Sequence, residues 1–181
     1  MSRISVPTRD EAPAASIPIL DEIDRKFGVI PNLFRLLGIS SKALKAYADL
    51  NATLAGTFTV KTREQVAITV AQINSCDYCL SAHSYLGTNL AGLSEDDVKL
   101  ARNRTAADAE TAAIVQFAAS VADKRGHLSN DELVAARHAG LSDAQLVEIV
   151  ALVAENVFSN FVNSVAQTDI DFPVVLAAEA A

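Results

Sequence analysis

The chain has no tryptophan, one methionine and only two cysteines in 181 residues. Two cysteines three positions apart cannot staple a small secreted scaffold, which needs several bridges spread along the chain. A close pair in a reducing compartment points instead to redox chemistry or metal binding. Aromatic residues make up 6% of the sequence, so the core must be built from Ala, Val, Leu and Ile. Such side chains let helices approach closely, but each buries little area. Association of copies buries more, and a homo-oligomer is expected. Positive charge is scarce too, and the formal net charge is −7. An acidic chain is repelled by a phosphate backbone and by an anionic membrane surface, so neither nucleic acid nor membrane is an expected partner. The segment from Met1 to Asp10 has no apolar stretch of signal-peptide length, and no run reaches the roughly 20 apolar residues that span a bilayer. The cytoplasm is the expected compartment.

Strand signals are missing as well. No run alternates with period two, and no Asn-Gly hairpin turn occurs. What remains reads as helix after helix. A first helix is predicted from about Pro18 to Phe27, stopped by Gly28, and a short one runs from Pro31 to Gly38. Ser40 or Ser41 caps the next, to about Gly56. Thr59 or Thr62 opens a deeply buried helix carrying Val66, Ile68, Val70 and Ile73. Asn74-Ser75 breaks that pattern, and a new helix is predicted from Cys76 to Leu90. Ser94 with Asp97, Ser129 with Glu132 and Ser142 with Gln145 mark three further helix starts. A long helix from about Ala106 to Lys124 lies between the first two of these. The expected architecture is an all-α bundle in one domain, residues 17–173, with a flexible arm at 1–16 and a tail at 174–181.

The residues that carry chemistry cluster around the break. At about 100° per residue, Cys79 lies about 60° from Cys76, and His83 falls between them, so all three share one stripe. The first cysteine falls at the helix start, where unpaired N–H groups and the helix dipole favour a thiolate. His83, one turn beyond Cys79, can take its proton. Glu64, on the preceding helix, reaches His83 or a cysteine if the two helices pack side by side. Cys79 is read as the attacking residue because it is nearer the base. Cys76 is then the resolving thiol, more exposed and available to a reductant. A metal site from Cys76, Cys79, His83 and Glu64 is the weaker reading, since structural zinc prefers more sulfur. Asn156, Asn160 and Asn163 form a polar stripe on an apolar helix, read as a hydrogen-bonded seam or, at Asn160, as pocket lining. Phe158 and Phe161 are read as core or interface, and His127 and His138 as surface residues.

The segment from Arg63 to His83 resembles the core of the AhpD-like, carboxymuconolactone decarboxylase superfamily, with Glu64, Cys76, Cys79 and His83 at the family spacing. Gly28 to Arg35 and Asp169 to Pro173 resemble the entry and closing segments of its peroxidase-related branch. The resemblance implies an AhpD-like helical fold and trimers or multiples of trimers. It also implies an alkylhydroperoxidase-like, antioxidant activity, in which a peroxide is reduced through a redox-active disulfide without metal or flavin. A thiol or dithiol, protein or small molecule, would be the reductant. AhpD proteins often carry a histidine just before the second cysteine. Here Tyr78 stands there, so a relay member is missing or replaced by a phenol, and Tyr78 is a candidate pocket residue. Two other readings stay open. One is a lyase like other superfamily members, which needs no paired cysteines. The other is a non-enzymatic redox sensor whose disulfide alters assembly.

Overall fold

The computed structural model describes residues 2–178 and is all-helical over that range. Nine α-helices follow one another: α1 (Ile17–Phe27), α2 (Asn32–Leu37), α3 (Ser41–Leu54), α4 (Val60–Ile73), α5 (Asp77–Asn89), α6 (Glu95–Arg102), α7 (Ala109–Asp123), α8 (Asn130–His138) and α9 (Asp143–Ala166). Most boundaries fall where the caps predict. Ser94, Ser129 and Ser142 each close a capping box with the residue three positions on, and Gly28 ends α1 with φ 73°. The start of α7 differs. Its cap is Asp108, whose carboxylate accepts from Thr111 N–H at 2.8 Å, so the helix begins three residues later than expected.

Helix α4 is the axis of the bundle. Every residue from Gln65 to Ala71 is buried, which only a helix packed on all sides can achieve. Its faces divide the core in two. Ile68 and Ala71 join Leu20, Leu37, Leu44 and Leu80 from α1, α2, α3 and α5. Val66 and Val70 join Val115, Ala118 and Ile149 from α7 and α9. Thr69, fully buried on this axis, keeps its hydroxyl satisfied on the carbonyls of Gln65 and Ala101.

Helix α9 has the length and apolar content of a membrane-crossing helix, yet here it is a core helix. Glu155, Asn156, Ser159, Asn160 and Asn163 lie buried along its inner side. Val147, Val150, Ala154, Phe158, Phe161 and Val165 line the opposite side, exposed. Phe158 and Phe161 are 38% and 58% exposed, so they are not core residues of the single chain.

Both ends of the described range are tied to the body. Within the expected arm, Arg3 N–H donates to Ala166 O at 2.6 Å, Arg9 pairs with Asp21 at 2.8 Å, and buried Ser16 donates to Gly38 O. After α9, residues 168–178 cross α5 as a strap. Val175 N–H donates to Ser81 Oγ at 2.9 Å, and Ala177 N–H to Asp77 Oδ1 at 2.8 Å. Residues 174–178, expected as tail, thus belong to the packed body. The last three residues of that expected tail lie outside the described ones.

Candidate redox site

A three-residue turn builds the site. Asn74 caps α4, Ser75 takes a left-handed φ of 53°, and Cys76 N–H donates back to Ala71 O at 3.0 Å. Few residues other than glycine adopt that conformation, and here it reverses the chain so that α5 runs back along α4. Glu64, in the body of α4, consequently meets His83, in the body of α5. His83 Nδ1 lies 2.8 Å from Glu64 Oε2.

Cys76 is the N-cap of α5 rather than a residue of its first turn. Its backbone is extended, and its Sγ accepts from Cys79 N–H at 3.3 Å. Cys79 stands one turn in, and its Sγ accepts from Asn163 Nδ2 at 3.3 Å. A disulfide joins the two cysteines, whose Cα atoms are 5.3 Å apart. The expectation that Cys76 would be the more exposed thiol is corrected: each cysteine is 3% exposed. Both belong to the apolar cluster with Leu33, Leu37 and Leu80, so a helix start does not mean a surface position here.

Burial alone would push the His83 pKa down. The Glu64 carboxylate, through its charge and its hydrogen bond, and the more distant charge of Glu155 outweigh that, and His83 is raised above the ordinary histidine value. Folded His83 therefore holds its proton more tightly than the unfolded chain does. The pair's contribution to stability is full below the ordinary histidine pKa and is lost as pH rises through the raised value.

Tyr78, read as a candidate pocket residue, packs as a clamp. Its side chain is buried, its oxygen accepts from Leu33 N–H at 3.0 Å, and its ring meets Phe172 edge-on at 5.9 Å. Burial, opposed by the Leu33 bond and aided by nearby Asp171, drives the phenol far above its usual pKa. It therefore stays protonated and joins α5 to the start of α2 and to the strap. Asn160, the other candidate pocket residue, is fully buried, and its Oδ1 accepts from Asn74 Nδ2 at 2.9 Å. It braces the turn before Cys76 instead of lining an open path. The expected seam is only partly satisfied, because Asn160 Nδ2 and Asn163 Oδ1 are buried without hydrogen-bond partners. His127 and His138 are exposed.

The profile of the carboxymuconolactone decarboxylase family matches residues 41–124, the stretch that holds Glu64, Cys76, Cys79 and His83. The match covers a little under half of the chain, which in that stretch is similar to the carboxymuconolactone decarboxylase family. Solved structures share its fold over nearly their whole length. One is a peroxidase-related protein with an alkylhydroperoxidase AhpD core from Ralstonia eutropha JMP134. It is 22% identical, with 94% of this chain and 92% of that one covered and a TM-score of 0.82. A second, a peroxidase-related protein from Silicibacter sp. TM1040, is 21% identical over 93% and 91%, with a TM-score of 0.79. A third is a cysteine-to-alanine variant of the debrominase Bmp8 in complex with 2,3,4-tribromopyrrole. It is 19% identical over 94% of each chain, with a TM-score of 0.77. No curated protein matches the chain.

One neighbour of the Glu64–His83 pair was missed in the sequence. Glu155 of α9 is buried and accepts from Asn51 Nδ2 at 2.6 Å. Burial raises its pKa against the Asn51 hydrogen bond and the charges of His83 and Arg63. The available signal was an acid one position before the asparagine stripe, on the inner side of an apolar helix. Among the described residues, no group of three or more His, Cys, Asp or Glu side chains is arranged to hold a metal ion.

Two outcomes follow from this geometry. In Glu64→Gln, His83 keeps the cost of burial and loses its nearest counter-charge, so its midpoint falls relative to the unsubstituted protein in an NMR titration of the imidazole. In Tyr78→Phe, chemical denaturation shows a loss of about 1–3 kcal/mol from the unsatisfied Leu33 N–H, while Cys76–Cys79 disulfide formation is retained. Loss of disulfide formation in folded Tyr78→Phe would return the phenol to the relay.

Proposed function

We propose that this protein is a thiol-dependent peroxidase that reduces hydrogen peroxide or organic hydroperoxides through Cys76 and Cys79. The reading is carried by one observation. A bonded cysteine pair at a helix start shares its helix with an imidazole whose pKa is raised by a half-buried glutamate.

The Cys79 thiolate attacks the outer oxygen of the peroxide. The S–O bond forms, the O–O bond breaks, and the leaving oxygen takes a proton from charged His83. The Cys76 thiol then attacks the sulfenic sulfur. The S–S bond forms, the S–O bond breaks, and water leaves. An external thiol or dithiol reopens the disulfide by exchange, and His83 regains its proton as the Cys79 thiol ionises. The sum is one peroxide and two thiols giving one alcohol, one water and one disulfide. Such a cycle requires a reducing compartment, consistent with the cytoplasm.

A second reading is supported by the debrominase likeness. The same two electrons can replace a bromine on an aromatic ring by hydrogen, releasing bromide and leaving the same disulfide. Supplying the reduced protein with a hydroperoxide or with a brominated pyrrole separates the two.

We also propose that copies of the chain associate through the outer side of α9, as a trimer or a multiple of trimers. Its exposed stripe carries no charge from Val147 to Val165 except at the flanking, half-buried Glu148. On a chain of net charge −7, such a stripe lets two copies meet with little like-charge repulsion.

In Cys79→Ser, peroxide consumption with a dithiol reductant is expected to fall to the uncatalysed rate; retained turnover would sink the peroxidase reading. Phe161→Glu is expected to lower the mass measured by light scattering to that of smaller species, and an unchanged mass would move the interface elsewhere.

A further inference from the structure

Each sulfur of the pair has one N–H donor, and the two donors differ in origin. Cys76 Sγ receives the backbone N–H of Cys79, as any N-cap acceptor does. Cys79 lies beyond that helix-end position. Its Sγ receives the side-chain amide of Asn163, from a helix 84 residues away in sequence. Asn163 is 2% exposed, and its Oδ1 has no hydrogen-bond partner. A buried amide with its donor on sulfur and its acceptor unsatisfied is costly to keep unless the sulfur interaction matters.

A disulfide sulfur is a weak acceptor, whereas a thiolate is a charged one. The Asn163 amide therefore gains most once the disulfide is reduced and Cys79 ionised. The charged groups around the site stand further back. Glu64 and His83 pair with each other across α4 and α5, and Glu155 of α9 is held by Asn51 of α3. Arg35 and Asp171 act on Tyr78 from α2 and the strap. Asn163 is the side chain that touches the sulfur.

We propose that Asn163 is a positioning residue that makes Cys79 the stabilised thiolate of the pair, while Asn160, bonded to Asn74, only braces the turn before Cys76. The inference rests on the dithiol reading above, but not on peroxide being the oxidant.

The test follows the pH dependence of Cys79 alkylation by iodoacetamide in a Cys76→Ser background, where one thiol is read. Asn163→Ala and the near-isosteric Asn163→Asp are expected to raise the midpoint by about one unit, slowing alkylation about tenfold below it. Asn160→Ala is expected to leave the midpoint in place. In the unsubstituted, reduced protein, the Asn163 side-chain amide resonance is expected to shift as Cys79 titrates. An unmoved midpoint in folded Asn163 variants, an equal shift in Asn160→Ala, or an amide resonance indifferent to the titration would each overturn the proposal. The resonance decides alone if the variants do not fold. Peroxide turnover on the same proteins keeps the two readings apart. A midpoint set by Asn163 without peroxide turnover sinks the peroxidase and leaves the role of Asn163 intact.

Discussion

The left-handed Ser75 and the short turn around it are the constraint on which the rest of the site depends. A longer link would let α5 settle at another angle or register on α4. With three residues between the helices, the reversal is tight. Cys76 has no place but the N-cap, and Glu64 has His83 opposite it. One backbone conformation thereby fixes a sulfur at the positive end of a helix and an ion pair further along the same helix. Asn160 of α9, bonded to Asn74, holds this turn from outside the hairpin.

Burial gives these few interactions their weight. Both sulfurs lie in an apolar cluster, where a charge is expensive unless a donor or an opposite charge meets it. The His83 pKa is raised because Glu64, with Glu155 behind it, outweighs the cost of desolvation. At Tyr78, burial and the Asp171 charge outweigh the Leu33 donor and the Arg35 charge, so the phenol stays neutral and serves as a clamp. Five residues apart on one helix, an imidazole has its pKa raised and a phenol is held neutral. What separates them is the partner each side chain meets, since Glu64 faces one and Leu33 N–H the other.

Helix α9 links this interior to the outside of the chain. Its inner side brings Glu155, Asn160 and Asn163 to the site, and its outer side is the uncharged stripe around Phe158 and Phe161. The helix is rigid across its width, so contacts made on one side and the amides on the other are parts of one body. Burying the stripe against another copy would fix the helix that holds Cys79.

The sequence by itself determined the helices, their caps and the shared stripe of Cys76, Cys79 and His83. These depend on residues within a few positions of one another, and helical periodicity and capping are local physics. It also made Glu64 a candidate, because a helix break implies a hairpin. It could not settle the exposure of Cys76, the work of Tyr78 or the place of Glu155. Each of those depends on which distant element packs over it: the α1–α3 cluster on Cys76, Leu33 and Phe172 on Tyr78, Asn51 on Glu155. Only the tertiary structure decided that Asn163 meets Cys79, since no periodicity within one helix specifies its partner on another.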